Sequence, residues 1–367
     1  MTWLDSVAER LGALDEAASA ATMARLDRLT KPPGSLGRLE QLATQLGAIT
    51  GTDHPHADRP AVVVFAGDHG VTAQGVSAYP SEVTAQMVAN FVRGGAAINV
   101  LARLAGAPVV VVDVGVASPI PDVGAARDAG ARLVSRRVAD GTRDMTVEPA
   151  MTRLEAIAAI EVGRSVVTDL IAEGVDVLAV GEMGIGNTTA ASSVTTVLTG
   201  RRSAELTGRG TGLQDAAVIR KAAVIERAIH ARRPDPADPI GVLAAVGGLE
   251  IAALVGAILT AAEAGIPVVL DGFITGAAAL VAASIAPNVA SRLIASHVSA
   301  EPGHRIVLER LGLRPLLDLD LRLGEASGAA LALPIVRAAA AILADMATFE
   351  DAGVSGQEVS SSGQSPP

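Results

Sequence analysis

The stretch Arg322-Leu323-Gly324-Glu325-Ala326-Ser327-Gly328 sets one carboxylate between two glycines, and it continues into the apolar, helix-like Ala329-Ala330-Leu331-Ala332-Leu333-Pro334. Glycine lets backbone and ligand approach closely, and apolar surroundings raise a carboxyl pKa. A glutamate so placed suits a general base, which makes Glu325 the first catalytic candidate. A second stretch, Gly181-Glu182-Met183-Gly184-Ile185-Gly186-Asn187-Thr188-Thr189, reads as a strand–loop–helix transition. Free N–H groups at such a helix start hold phosphate, helped by the helix dipole. Gly184, Gly186, Asn187 and Thr188 are the candidate phosphate or ribose contacts. The loop is not a Walker A motif, because no lysine follows its last glycine. Its glycine spacing is not that of a dinucleotide fingerprint either, and tight strand–helix packing is the plainer reading of the same glycines. Gly208-Arg209-Gly210-Thr211-Gly212 is a second flexible loop, with Arg220-Lys221 following at a helix start. Gly210 and Lys221 are therefore candidate phosphate partners, although spacing alone slightly favours a solvated helix face for Lys221.

Asp68-His69 raises the question of a metal, with His54, His56, His297 and His304 as co-ligands. No pair of these has helical i, i+4 spacing, and His54 and His56 fall in a linker. No metal is expected, and His69 reads as a hydrogen-bonding histidine. Ser296-His297-Val298-Ser299 and Glu301-Pro302-Gly303-His304 mimic nucleophile–base sets. The absence of a G-x-S-x-G elbow speaks against a hydrolase.

The elements that must position these residues follow from the apolar runs. Residues up to about 50 read as helical, with a break at Lys31-Pro32-Pro33-Gly34 and a second helix from Arg38 to about Ile49; His54-Pro55-His56 and Arg59-Pro60 mark a linker. Beyond it, β-branched runs at Ala61–Phe65, Val109–Val114, Val175–Val180 and Pro267–Leu270 alternate with Ala-rich helical segments. Continuous apolar runs of this kind are strands buried on both faces. The expected fold is α/β: an open parallel sheet with helices on both faces, Rossmann-like. Each run exits into glycine and an acid, at Asp68, Asp113, Glu182 and Asp271. Ligands bind outside the carboxyl ends of such strands, so the four exits predict one acid-rich, glycine-walled crevice, with Asp271 among its ribose or phosphate contacts. A helix N-cap is the simpler reading of any single acid. Ala131–Val138 and Ile306–Leu308 are ambiguous between strand and loop, and Pro234–Pro239 reads as a loop between helices.

Half of the 367 residues are hydrophobic but only 2% are aromatic, with one Trp and one Tyr. The core must therefore be built from Ala, Val, Leu and Ile. Base stacking on aromatic rings is not expected as a binding mode, and a net charge of −10 speaks against nucleic acid. With no cysteine there is no disulfide, zinc finger or thiol nucleophile, which fits a cytoplasmic location. Met1–Asp5 lacks a basic region leading into an apolar run, so no signal peptide is expected. Mean hydropathy is +0.41, and Val242–Ala262 and Pro267–Pro287 are the best membrane-span candidates. Both carry acids and much Ala and Gly, so buried elements rather than spans are expected.

Six motifs taken together resemble one family: KPPGSLGRLE (31–40), FAGDHGV (65–71), GEMGIGNTT (181–189), LDGFITGAAAL (270–280), SHVSAEPGH (296–304) and RLGEASGAALALP (322–334). The chain is similar, over roughly residues 5–350, to the nicotinate-nucleotide–dimethylbenzimidazole phosphoribosyltransferases of cobalamin biosynthesis. The resemblance implies transfer of a 5-phosphoribosyl group from nicotinate mononucleotide to 5,6-dimethylbenzimidazole. It implies no cofactor, no membrane, small-molecule substrates only, and a homodimer. Glu325 takes the role of general base, Glu182 lies at the ribose and reaction centre, and Lys221 lies near the phosphate. The acceptor base pocket falls on Tyr79, Pro80, Ser81, Met87 and Leu323; some members carry serine and glutamine where Tyr79 and Met87 stand. The implied division is an N-terminal helical segment (1–58) that is part of a small domain, an α/β phosphoribosyltransferase domain (59–310), and a C-terminal segment carrying Glu325 and completing the small domain (311–352); the Ser-, Gly- and Pro-rich composition of 353–367 reads as a disordered tail. The competing readings are another nucleotide-handling α/β enzyme, such as a kinase or dehydrogenase, and a membrane-associated binding component.

Overall fold

The structure, a computed structural model, describes residues 3–122, 130–210, 212 and 214–355. It divides into two compact units, Met1–Leu14 with Ala57–Ile335, and Asp15–His56 with Val336–Pro367. The larger unit is built on a six-stranded sheet: β1 (Pro60–Gly67), β2 (Val109–Gly115), β3 (Arg132–Ser135), β4 (Val177–Met183), β5 (Val268–Leu270) and β6 (Leu293–Ala295). All neighbouring pairs are parallel, and the spatial order is β3-β2-β1-β4-β5-β6. The expected open parallel α/β fold is the observed one. The order reverses at β1, where Val64 stands opposite Val111 of β2 on one side and Gly181 of β4 on the other. Ligands of open α/β sheets bind at such a reversal.

Every residue of β1, β2 and β4 is buried. Side chains alternate between faces, so complete burial requires cover on both. Ala61, Val63 and Phe65 join Val110, Val112, Leu178 and Val180 in one core cluster with residues of the Leu249–Glu263 helix. That helix and Val83–Arg93 each lie against β1, β2 and β4. The run of Val242–Ala262 is split at Gly247 and Gly248 into two helices, and Leu249–Ala262 is buried throughout. Pro267–Pro287 holds β5 and the Phe273–Ile285 helix. One helix among the described residues, Ser327–Asp345, is long and apolar enough to cross a membrane.

Two ambiguous segments resolve differently. Arg132–Ser135 is the edge strand β3, exposed at three of its four residues. Ile306–Leu308 lies inside the Pro302–Leu311 helix, which opens with proline at a first-turn position where no N–H is missed.

The unit boundaries depart from those implied by the resemblance, and for a physical reason. Val7 and Leu11, one helical turn apart, enter the core of the α/β unit. Trp3 Nε1 donates to Glu263 at 2.7 Å, and Asn288 Nδ2 donates to the Leu11 carbonyl at 2.8 Å. At the other end, Val298 and Ala300 N–H groups donate to the Leu317 and Leu321 carbonyls, so Glu325 belongs to the α/β unit. Residues 356–367 of the serine-rich tail lie outside the described residues.

The smaller unit contains the Glu16–Arg28 and Arg38–Thr50 helices. Asp15 caps the first, accepting the Ala18 N–H at 2.9 Å. The KPPGSLGRLE motif is a loop running into the start of the second helix, and Glu40 in that first turn closes it, accepting the Leu36 and Gly34 N–H groups and pairing with Lys31 Nζ at 2.9 Å. Arg25 Nε donates to the Leu343 carbonyl, and Leu29 bridges Thr348.

Candidate active site

At the carboxyl ends of β4, β5 and β6 lies a cavity of about 400 Å³. Glu325 forms part of its wall. The loop carrying it holds three consecutive residues in the left-handed region: Gly324 (φ 85), Glu325 (φ 63) and Ala326 (φ 65). Two of these are not glycine, and each costs roughly 1–3 kcal/mol. Several contacts hold the turn against that cost. The Glu325 N–H donates to the Glu182 carbonyl at 3.2 Å, and the Ser327 N–H donates to the Gly324 carbonyl at 3.0 Å. Asp271 Oδ1 accepts the Gly328 and Ala329 N–H groups at 2.7 and 3.2 Å, capping the Ser327–Asp345 helix from another segment. Gly181 in β4 leaves the room that Ala326 occupies, since a β-carbon there would overlap the Ala326 backbone.

The Glu325 side chain is 5% exposed, and its Oε2 has no hydrogen-bond partner. Burial pushes its pKa up to about 7. Glu182, also buried, accepts a hydrogen bond from the Asn187 side chain. Burial first, then the charges of Asp271, Glu250 and Glu325, hold Glu182 well above the usual carboxylate range. With Glu301, which also lines the cavity, three carboxyls therefore face it; Glu182 is favoured in its neutral form, and Glu325 and Glu301 each have an unpartnered oxygen.

On the glycine-loop side the cavity is lined by Gly184, Asn187, Thr188 and Gly210. Lys221 is 1% exposed, which removes the solvated-face alternative, and its Nζ donates to Thr188 Oγ1 at 2.7 Å. It stands behind Thr188 rather than in the wall. Burial lowers its pKa to about 8, against the opposing pull of Glu301. Glu301 in turn accepts the Gly210 N–H at 2.9 Å. At the opposite side Tyr79, Met87 and Leu323 line the cavity, joined by Val83 one turn before Met87.

Several expected contacts are placed elsewhere. Pro80 and Ser81 lie outside the wall; their carbonyls accept the Val83 and Thr84 N–H groups that start the Val83–Arg93 helix. Gly186 (φ 96) is the N-terminal cap of the Asn187–Thr199 helix and packs on Thr72 and His69. Asp271 is occupied as a cap. The predicted crevice of four acids is corrected in the same way. Asp68 accepts the Ala117 N–H at 2.9 Å, and Asp113 pairs with Arg137 at 3.0 Å. Of the four strand-exit acids, Glu182 alone lines the cavity.

The wall also contains residues not expected from the sequence. Gly272 and Phe273 follow β5, while His297, Ser299 and Glu301 follow β6, and Arg322 precedes Leu323. Recognising Leu293–Ala295 as a strand would have made Ser296–Glu301 a fifth strand exit. His297 Nδ1 is 3.0 Å from Ser296 Oγ, and burial lowers its pKa to about 4, so it faces the cavity as a neutral imidazole. Among the described residues no group of three or more His, Asp or Glu is arranged to hold a metal ion.

Fold and cavity define the class first: an α/β enzyme with its site at the carboxyl ends of a parallel sheet. A family model described as phosphoribosyltransferase matches residues 11–354. A relative from Chloroflexus aggregans, named nicotinate-nucleotide–dimethylbenzimidazole phosphoribosyltransferase, is 56% identical over 355 residues, 97% of this chain and 99% of its own. One of the same name from Desulforudis audaxviator is 56% identical over 347 residues, 95% of this chain and 96% of its own. The crystal structure of CobT from Thermus thermophilus is 50% identical and superposes with a TM-score of 0.86, covering 92% of this chain and 99% of that one. The chain belongs to the nicotinate-nucleotide–dimethylbenzimidazole phosphoribosyltransferase family.

Proposed function

We propose that the chain transfers the 5-phosphoribosyl group of nicotinate mononucleotide to 5,6-dimethylbenzimidazole, giving α-ribazole 5′-phosphate and nicotinate, with Glu325 as general base. The observation that carries this reading is Glu325 itself: a buried carboxylate in the cavity wall, with one oxygen unpartnered and a pKa near 7. A benzimidazole nitrogen attacks the ribosyl C1 as the bond to the pyridine nitrogen breaks, and that electron pair returns to the pyridine ring. The pyridine nitrogen of the donor is cationic, so nicotinate leaves without acid assistance. The attacking base becomes positively charged, its second ring N–H becomes acidic, and Glu325 takes that proton. Attack opposite the leaving group turns the β-linkage into α.

Glu182 serves the ribose. Its neutral form donates to a sugar hydroxyl, and its ionised form, favoured once a cationic ring is present, stabilises oxocarbenium charge. Gly184 and Thr188, backed by Lys221, hold the phosphate, and Gly210, its N–H held by Glu301, closes the wall beside them. Tyr79, Met87 and Leu323 form the slot for a planar bicyclic base. The family resemblance extends the proposal to a homodimer working in the cytoplasm; sedimentation of the purified chain checks the dimer.

Incubation with nicotinate mononucleotide and a panel of benzimidazoles and purines tests the reaction. An α-ribotide is the expected product, and its absence with every base removes this reading.

A further inference from the structure

His69 and Glu250 form a pair that the proposed chemistry does not use. They are 2% and 0% exposed, and His69 Nε2 is 2.8 Å from Glu250 Oε1, while Glu250 Oε2 has no hydrogen-bond partner. Neither lines the cavity. His69 follows β1 where the strand order reverses, and Glu250 opens the Leu249–Glu263 helix. Burying an ion pair is weak evidence of a stabilising role, since an apolar pair of similar volume does as well or better. What the pair touches points to another purpose. A β-carbon on Gly184 would stand 3.4 Å from His69 Nε2, and one on Gly186 would stand 3.3 Å from His69 Cβ. The His69 side chain thus supports both glycines of the loop between Glu182 and Asn187, its ring beside the Gly67 carbonyl under Gly184 and its Cβ beside the Thr72 methyl under Gly186. From the other side, a β-carbon on Gly248 would meet His69 Cε1 at 2.5 Å and Glu250 Oε2 at 2.6 Å. The ring is confined between the glycine loop above and the start of the Leu249–Glu263 helix below, and Glu250 fixes its orientation.

We propose that His69 and Glu250 are the positioning pair for the Gly184–Ile185–Gly186 loop, setting the height at which the loop and Thr188 meet the phosphate of the donor. This rests on the phosphoribosyl-transfer reading for the identity of the ligand. The loop is also held at its ends and middle: the Ile185 N–H donates to Thr84 Oγ1 at 3.1 Å, the Asn187 N–H turns back to the Gly184 carbonyl, and the Thr189 N–H donates to the Gly186 carbonyl at 2.9 Å, while His69 and Glu250 support it from below.

The test compares Glu250→Ala, Glu250→Gln and His69→Gln with wild type. It measures kcat, both KM values, melting temperature, and the Kd for inorganic phosphate by calorimetry. Glu250→Ala and His69→Gln should raise the donor KM and the phosphate Kd at least about tenfold, leaving the acceptor KM within about twofold. Glu250→Gln, which keeps an oxygen for the ring N–H, should return both to within about threefold of wild type. If Glu250→Ala fails to fold, His69→Gln and Glu250→Gln carry the comparison. Unchanged donor KM and phosphate Kd in a folded Glu250→Ala or His69→Gln overturns the proposal. So does an equal rise in both KM values with a lower melting temperature, which marks simple packing. A wild-type chain that binds phosphate but makes no ribotide refutes the reaction, and phosphate Kd alone then decides on the pair.

Discussion

The proposed role of Glu325 ties reactivity to stability at a single carboxyl. Its pKa in the folded chain is about 7 against an ordinary value of 4.5. Between these values the folded state keeps a proton that the unfolded state has released, so the burial cost is absent below about pH 4.5 and complete above about pH 7. Glu325→Gln should therefore stabilise the chain near pH 8 by about 3 kcal/mol and have little effect near pH 5, as thermal melts at the two values would show. The same variant should lose about a hundred- to ten-thousand-fold in turnover while keeping its fold. Near-wild-type kinetics would remove Glu325 as the base. The free enzyme's kcat/KM should rise as pH passes about 7, where Glu325 ionises, and fall as pH passes about 8, where Lys221 loses its proton. A profile flat across this range would separate both groups from catalysis.

At the scale of elements, the site depends on one helix start being gripped from outside its own segment. Asp271→Ala removes the acceptor for the Gly328 and Ala329 N–H groups, at a cost of about 1–2 kcal/mol. Turnover should fall more than the acceptor KM rises, because Glu325, the proposed base, is displaced while the proposed slot at Tyr79 and Met87 stays intact. Asp271→Asn retains an accepting oxygen and should recover most of the loss. This grip also explains what was legible beforehand. The long apolar runs of β1, β2 and β4 announced the sheet, and the glycine-flanked Glu325 announced itself. Leu293–Ala295 is too short to show a period, and β3 is an exposed edge, so neither stood out. Asp271 directly follows a buried strand and Glu182 is the last but one residue of another; only the docking of Gly328 and Ala329 decides that one caps a helix while the other faces the cavity. Lys221 is the converse case: its spacing resembles a surface helix, and its burial comes from neighbours distant in sequence.

At the scale of the whole molecule, the described N-terminal residues up to Leu14 belong to the α/β unit rather than to the smaller one. Leu11 is 1% exposed within that core, so Leu11→Ala should cost about 2–5 kcal/mol. Denaturant melts would register the loss, and a change below the error of the melt would detach the N-terminal helix from the core. The scarcity of aromatic residues, which obliges the core to be aliphatic, has an optical consequence. The single Trp, Trp3, stacks with the Arg164 guanidinium 5.0 Å from its ring centroid. The single Tyr, Tyr79, is 54% exposed and stands in the cavity wall. Selective excitation of the indole at the red edge of its absorption, where phenol does not absorb, reports on the seating of the N-terminal helix alone. Because Trp3 stands apart from the cavity wall, its emission follows the packing of the chain's N-terminal helix in an unlabelled sample, with no probe introduced into the site.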